Sequence, residues 1–201
     1  LPWPLDLSLF YFGRKIRGRK IPLLASFKLT YRCNLACLAC PFHQRSAHAQ
    51  TDTTWNTAIS AMEYLCSLGT GIVVFEGGEP LLWREGVYRL HDLVRYARKR
   101  FLRVAVTTNG TLPLDVPADI LWVSLDGLKD THDRFRSGSF ERVLGNLRAT
   151  RHPRVLVHVT VHRENRGELE ALLAMVREIP AVRGVTLQFF YPYGQGEAPL
   201  S

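Results

Sequence analysis

From residue 24 onward, short runs rich in β-branched residues alternate with longer stretches of helical periodicity, and this alternation restricts the possible folds more than any other feature. Strands are expected at 24–30, 71–76, 102–107, 120–125, 154–161 and 184–190. Helices are expected near 55–68, 86–99, 139–150 and 167–178, with a shorter connection over 111–119. A βα repeat of this kind builds a parallel sheet with right-handed crossovers. The 201 residues suffice for one well-buried core, and no low-complexity linker divides them. The chain therefore reads as a basic and aromatic N-terminal segment, 1–20, followed by one α/β domain, 21–201.

The two faces of each strand narrow the architecture further. In the fifth strand Val155, Val157, Val159 and Val161 share one side, and His158, Thr160 and His162 the other. A similar split places Lys28 and Thr30, then Arg103, Ala105 and Thr107, then Trp122, Ser124 and Asp126, then Thr186 and Gln188 on a common face. A doubly wound sheet is covered on both sides and should be apolar on both. A complete eight-stranded barrel fills its interior with bulky branched residues. A polar face on an apolar-backed sheet instead implies a partial (β/α)6 barrel with parallel strands, helices outside and an interior open to a ligand.

Three of the four cysteines lie within "LTYRCNLACLACPFH", residues 29–43, directly after the first strand. Cys33, Cys37 and Cys40 have the i, i+4, i+7 spacing of one helix face, but Pro41 disfavours helix at Cys40 and the preceding residues read as strand. A disulfide would leave an odd thiol. Zinc would need ligands such as His43 or His48 at unusual spacing. The triplet by itself leaves an iron–sulfur cluster, zinc and core packing open. Cys66, in "AMEYLCSLG", reads as a packed helix residue.

The net charge of +8 fits nucleic acid, anionic lipid or an anionic cofactor. A local cluster, Arg14, Lys15, Arg17, Arg19 and Lys20, follows Trp3, Phe10, Tyr11 and Phe12. Residues 1–20 thus suit either a peripheral membrane contact or a helix packed on the domain. Basic residues do not interleave with aromatics elsewhere, so no nucleic-acid partner is expected. No apolar run reaches the length of a membrane span, and a soluble, reducing, cytoplasmic setting is the expectation, with membrane association through the N-terminus as the alternative.

Sites in βα architectures form at the C-terminal ends of the strands. Besides the cysteine loop, three segments fall there: "EGGEP" from Glu76 to Pro80, "TTNG" from Thr107 to Gly110, and "SLDG" from Ser124 to Gly127. Gly77 and Gly78 would let a ligand approach the backbone closely, and a glutamate beside them suits an ammonium group rather than a phosphate.

Taken together, these residues resemble the radical S-adenosylmethionine (SAM) enzymes. The resemblance rests on Cys33, Cys37 and Cys40 as CxxxCxxC, on Gly77 to Pro80 as GGEP, and on "TTNG" and "SLDG" in family order, and it spans about residues 24–190. "HDRFRSGSFERVLGNL" (132–147) and "VTVHRENRGEL" (159–169) are similar to the PqqE/SPASM-type and adenosylhopane-synthase-like branches.

The resemblance implies that the three thiolates hold three irons of a 4Fe–4S cluster and that the fourth iron chelates SAM. An electron then cleaves SAM to a 5'-deoxyadenosyl radical, which abstracts hydrogen from, or adds to, a substrate. It further implies that Glu79, with the backbone of Gly77 and Gly78, receives the SAM ammonium, and that Ser124 and Arg136 bind its carboxylate. Asn109 and Asp126 join the cofactor-binding positions. Two departures stand out. Ala39 replaces the usual aromatic before the last cysteine, with Phe42 as its substitute near the adenine, and no cysteine follows Cys66, so one cluster is expected.

Lys28, Glu76, His158, His162, Gln188 and Tyr191 are candidates to line the substrate region, because their direction is inward. The N-terminal segment and the hopanoid-type likeness favour a lipid-like substrate over a peptide or other small molecule. A reducing electron donor is implied. The alternative is an iron–sulfur or electron-transfer module that does not turn over SAM.

Overall fold

The computed structural model describes residues 3–18, 21–38, 40 and 52–190. Helix α1 (Trp3–Arg17) precedes β1 (Leu24–Lys28), and α2 (Trp55–Leu68) leads to β2 (Ile72–Glu76). A two-residue hairpin, β3 (Arg84–Glu85) with β4 (Tyr88–Arg89), precedes α3 (Leu90–Arg98) and β5 (Arg103–Thr108). There follow β6 (Ile120–Ser124), α4 (Lys129–Phe135), α5 (Phe140–Ala149), β7 (Val155–Val161), α6 (Leu169–Arg177) and β8 (Val182–Phe189).

Six strands form one sheet in the order β1-β2-β5-β6-β7-β8, every neighbouring pair parallel. The order never reverses, so right-handed crossovers bring the connecting helices α2, α3, α5 and α6 to one side. On that side Val73, Phe75, Val104, Val106, Leu121, Val123 and the four valines of β7 join Met62, Leu93, Val94, Leu147 and Leu172 from the helices in one buried core. Each large side chain so buried contributes about 1.5–3 kcal/mol. The opposite side is left free, as in a partial barrel.

Helix ends follow local chemistry. Thr54 caps α2 by accepting the Thr57 N–H, and Gly69, at φ +83°, closes it with its own N–H on the Leu65 and Cys66 carbonyls. The expected helix at 86–99 begins only at Leu90, because Arg84–Arg89 fold into the hairpin with Gly86 at φ +53°. Helix α4 was not anticipated, since seven residues carry too little periodicity to register.

The free face differs from the expectation in one respect. Its N-terminal half is apolar: Val74, Ala105 and Ile120 form a separate buried cluster, flanked by Ile72, Trp122 and Leu156. Only the C-terminal half is polar. The interior is thus floored by hydrocarbon and open where the strands end.

Candidate functional site

A cavity of about 290 Å³ lies at the C-terminal end of the sheet, and all six strands contribute to its wall. The thiol loop forms one side, and its anchoring begins in β1. The Leu29 N–H donates to the Glu76 carbonyl at 2.9 Å, continuing the pairing of β1 with β2. The Gly78 N–H then donates to the Thr30 carbonyl at 2.7 Å, and the Glu79 N–H to the Arg32 carbonyl at 2.8 Å. A Cβ on Gly77, whose φ is +148°, would sit 2.4 Å from the Thr30 oxygen, and one on Gly78 only 2.3 Å from that of Arg32. The glycine pair is therefore needed first by the protein's own backbone: it lets the turn into Cys33 lie flat on the end of β2. Both glycines also line the cavity.

The far side of the loop rests on the segment after α4. Leu38 N–H donates to the Phe135 carbonyl at 3.0 Å, and Ala36 N–H to the Ser137 hydroxyl at 3.1 Å. Asn109 reaches across from β5. Its amide nitrogen donates to Asn34 Oδ1 at 2.9 Å and approaches Cys33 Sγ at 3.6 Å. Burial raises the thiols of Cys33 and Cys37, the latter to about 11 even though the Arg136 guanidinium opposes the shift. Among the described residues no three His, Cys, Asp or Glu side chains converge on a single ion. All three thiols of the loop line the cavity.

Beside the thiols sits a buried ion pair. Arg136 Nε donates to Asp126 Oδ2 at 2.6 Å, and the other carboxylate oxygen accepts the Thr160 N–H at 2.7 Å. Burial alone would raise the Asp126 carboxyl, but Arg136 overrides it and holds the group below its ordinary range. Burial would likewise depress Arg136, and Asp126 and then Cys37 overcome that, raising it. The guanidinium is one-fifth exposed and lines the cavity, so it is no surface helix charge. Ser124, at the end of β6, lines the same wall.

A second layer of residues holds this pair in place. His132 Nδ1 accepts the Asp126 N–H at 3.1 Å, which leaves Nε2 to donate to Ser139, and burial lowers the imidazole to about 4 so that it stays neutral. Asn165 donates to the Asp126 and Thr160 carbonyls. Glu168 accepts from the Leu128 N–H at 2.8 Å and from the Thr131 hydroxyl at 2.6 Å, fixing the start of α4. His132, Asn165, Glu168 and Asn34 were not singled out from the sequence as site residues. The segments holding the first three were noticed, yet their partners lie up to about forty residues away and no spacing rule links them.

Cys33, Cys37, Cys40, Gly77, Gly78, Asn109, Ser124, Asp126 and Arg136 all line the cavity, as do the substrate candidates Lys28, Glu76, His158, His162 and Gln188. Lys28 and Ser26 both bond Glu76 Oε1, and His158 Nδ1 meets the Thr186 hydroxyl at 2.9 Å. Phe42, Tyr191, Ala39, His43 and His48 lie outside the described residues.

Glu79 sits behind the wall. It is fully buried, and its carboxylate does not line the cavity. Oε1 accepts the Leu81 N–H at 3.1 Å and the Thr108 hydroxyl at 2.8 Å, and Oε2 accepts the Asn109 N–H at 2.7 Å. These bonds make Glu79 a clamp between the ends of β2 and β5. Burial pushes this carboxyl up to about 6 against the pull of those donors. Glu79→Gln keeps the shape but cannot accept on both sides, so urea unfolding should show a loss of about 1–3 kcal/mol.

The sequence profile of the Radical SAM superfamily matches residues 27–176. The chain is 32% identical over 189 residues to the AdoMet-dependent heme synthase of Methanosarcina barkeri, covering 88% of this chain and 53% of that protein. It is 31% identical over 192 residues to the PqqA peptide cyclase of Gluconobacter oxydans, covering 87% and 51% respectively. The chain thus spans about half the length of these relatives. Among solved structures it superimposes on Streptococcus suis SuiB bound to S-adenosylmethionine with a TM-score of 0.70 at 13% identity, over 98% of this chain and 47% of that one. That likeness shows the fold, a partial (β/α)6 barrel.

Proposed function

We propose, from the premise that this chain belongs to the Radical SAM superfamily, that Cys33, Cys37 and Cys40 hold a 4Fe–4S cluster and that the adjoining cavity seats SAM. Enzymes of this superfamily use those two cofactors. The observation that carries the assignment is the meeting, around one cavity, of three thiols, a glycine wall and a guanidinium fixed by a buried carboxylate. When bound, the cluster supplies an electron and SAM a 5'-deoxyadenosyl radical able to remove hydrogen from a substrate or add to it.

The protein's part is to hold and orient. Arg136 offers its outer N–H groups to the SAM carboxylate, with the Ser124 hydroxyl beside it, while Asp126 fixes the guanidinium plane. The SAM ammonium meets backbone at Gly77 and Gly78. Glu79 acts at one remove, by holding Asn109 against Cys33. A low-potential reductant is the implied partner.

The substrate region lies toward β1, β7 and β8, where Lys28, Glu76, His158 and Gln188 face inward. These groups suit a polar substrate, similarity to an AdoMet-dependent heme synthase makes a heme-type molecule the first reading, and the lipid-like substrate expected from the sequence finds no support here. Similarity to a peptide cyclase makes a peptide the second reading.

The test is anaerobic. The protein is reconstituted with iron and sulfide, reduced with dithionite and mixed with SAM, and 5'-deoxyadenosine is quantified beside the cluster's EPR spectrum. The reading expects SAM to perturb the spectrum and to be cleaved. A cluster that assembles yet ignores SAM would replace it with an electron-transfer module.

A further inference from the structure

Helix α1 lies at the opposite end of the sheet from the cavity. Its Phe10 ring covers Gly71 and Leu102, the residues that lead into β2 and β5, so that a Cβ on Gly71 would touch the ring at 3.4 Å. The helix therefore docks at the N-terminal ends of the strands. Phe10 makes that contact, and Phe10, Gly13 and Arg14 are partly buried.

The other side of α1 is covered by nothing among the described residues. Leu9, Phe12 and Ile16 are 59%, 65% and 68% exposed, and their i, i+3, i+7 spacing makes them one stripe, with Leu9 at its edge beside the groove that α1 forms with Gly71 and Leu102. Tyr11, half exposed, lies alongside, and Lys15 is exposed next to Ile16. Single exposed apolar side chains are ordinary, but three in register on one helix face are not. The charge of this stretch of the sequence is one-sided. Arg14, Lys15, Arg17, Arg19 and Lys20 follow one another closely, and between Asp6 and Asp52 the sequence contains no Asp or Glu at all.

We propose that α1 is an interfacial helix that lays Leu9, Phe12 and Ile16 into the surface of an anionic phospholipid bilayer, with its basic end on the headgroups. The helix is too short and too charged to span, and no helix among the described residues is long and apolar enough to cross a membrane. An apolar stripe alone would suit a second copy of the chain equally well. The excess of positive charge selects the lipid surface, because two copies would bring like charges together. In this arrangement the barrel stands on the membrane by its strand N-termini, and the cavity at the C-termini opens away from the bilayer toward solution. This proposal does not depend on SAM turnover.

The experiment is co-sedimentation of the intact protein with vesicles of phosphatidylcholine alone and of phosphatidylcholine mixed with phosphatidylglycerol. Binding is expected to the mixed vesicles and to fall as salt rises. Phe12→Ser with Ile16→Ser should weaken it by at least roughly tenfold. Lys15→Gln, which removes the exposed charge beside Ile16, should weaken it by roughly fivefold. Phe12 and Ile16 support no core packing, so circular dichroism and the unfolding midpoint of that double variant should match the parent. Failure of the parent to bind mixed vesicles would overturn the proposal, as would equal binding to neutral ones. Self-association without lipid, lost in the Phe12 and Ile16 variant, would overturn it in favour of a second copy.

Discussion

Alanine at Cys33, Cys37 or Cys40 is expected to abolish both cluster assembly and 5'-deoxyadenosine formation, whereas alanine at Cys66 should leave both intact. The three loop thiols line one cavity, and the loop that carries them is held by backbone bonds at both ends, to Gly78 and Glu79 on one side and to Phe135 on the other. Removing one sulfur leaves that frame standing but strips a ligand that nothing else among the described residues replaces. Cys66 sits on α2, with Sγ 3.8 Å from the Arg100 carbonyl, and its loss should cost only about 1 kcal/mol of packing. Iron content after anaerobic reconstitution separates the two classes. Full iron loading in any single loop variant would mean that the ligand set is assigned wrongly.

Asp126→Asn should be nearly as damaging by a different route. The amide still accepts the Thr160 N–H, but the Arg136 guanidinium loses its counter-charge in a buried setting. Breaking one half of such a pair costs about 3–5 kcal/mol. It also frees the guanidinium from the plane in which Asp126 holds it, so SAM affinity should fall at least roughly tenfold. The double variant Asp126→Asn with Arg136→Met tells the two effects apart. It removes both charges, and urea unfolding should recover most of the lost stability. Equilibrium binding of SAM should not recover. A double variant that regains SAM binding would show that Arg136 contributes structure alone.

The strands were legible because β-branched runs and period-two faces are written locally. The cavity residues followed from them, since any polar residue just past a strand end in a parallel sheet faces the same opening. Glu79 could not be placed in this way. A Gly-Gly-Glu turn allows the carboxylate to point toward the cavity or toward the next strand, and three donors from Leu81, Thr108 and Asn109 decide the matter. Trp122 was misjudged for a related reason. Strand alternation gives the face of a residue but not its depth, and at mid-strand the free face is packed with Val74, Ala105 and Ile120 rather than wet. The supports of Asp126 escaped altogether, because Asn165 and Glu168 act across the chain through bonds whose partners are settled only once α4 and β7 are side by side.

The unbroken strand order also gives the site a history. Each strand pairs with the one made before it, so the sheet is laid down edge to edge as the nascent chain emerges, starting from β1. The thiols belong to the first loop of that series, Asp126 and Arg136 to the middle, and the wall from β8 arrives last. Parallel pairings of this kind close slowly, because each must gather an intervening helix first. Newly synthesised protein therefore exposes its sulfurs before the cavity around them is complete.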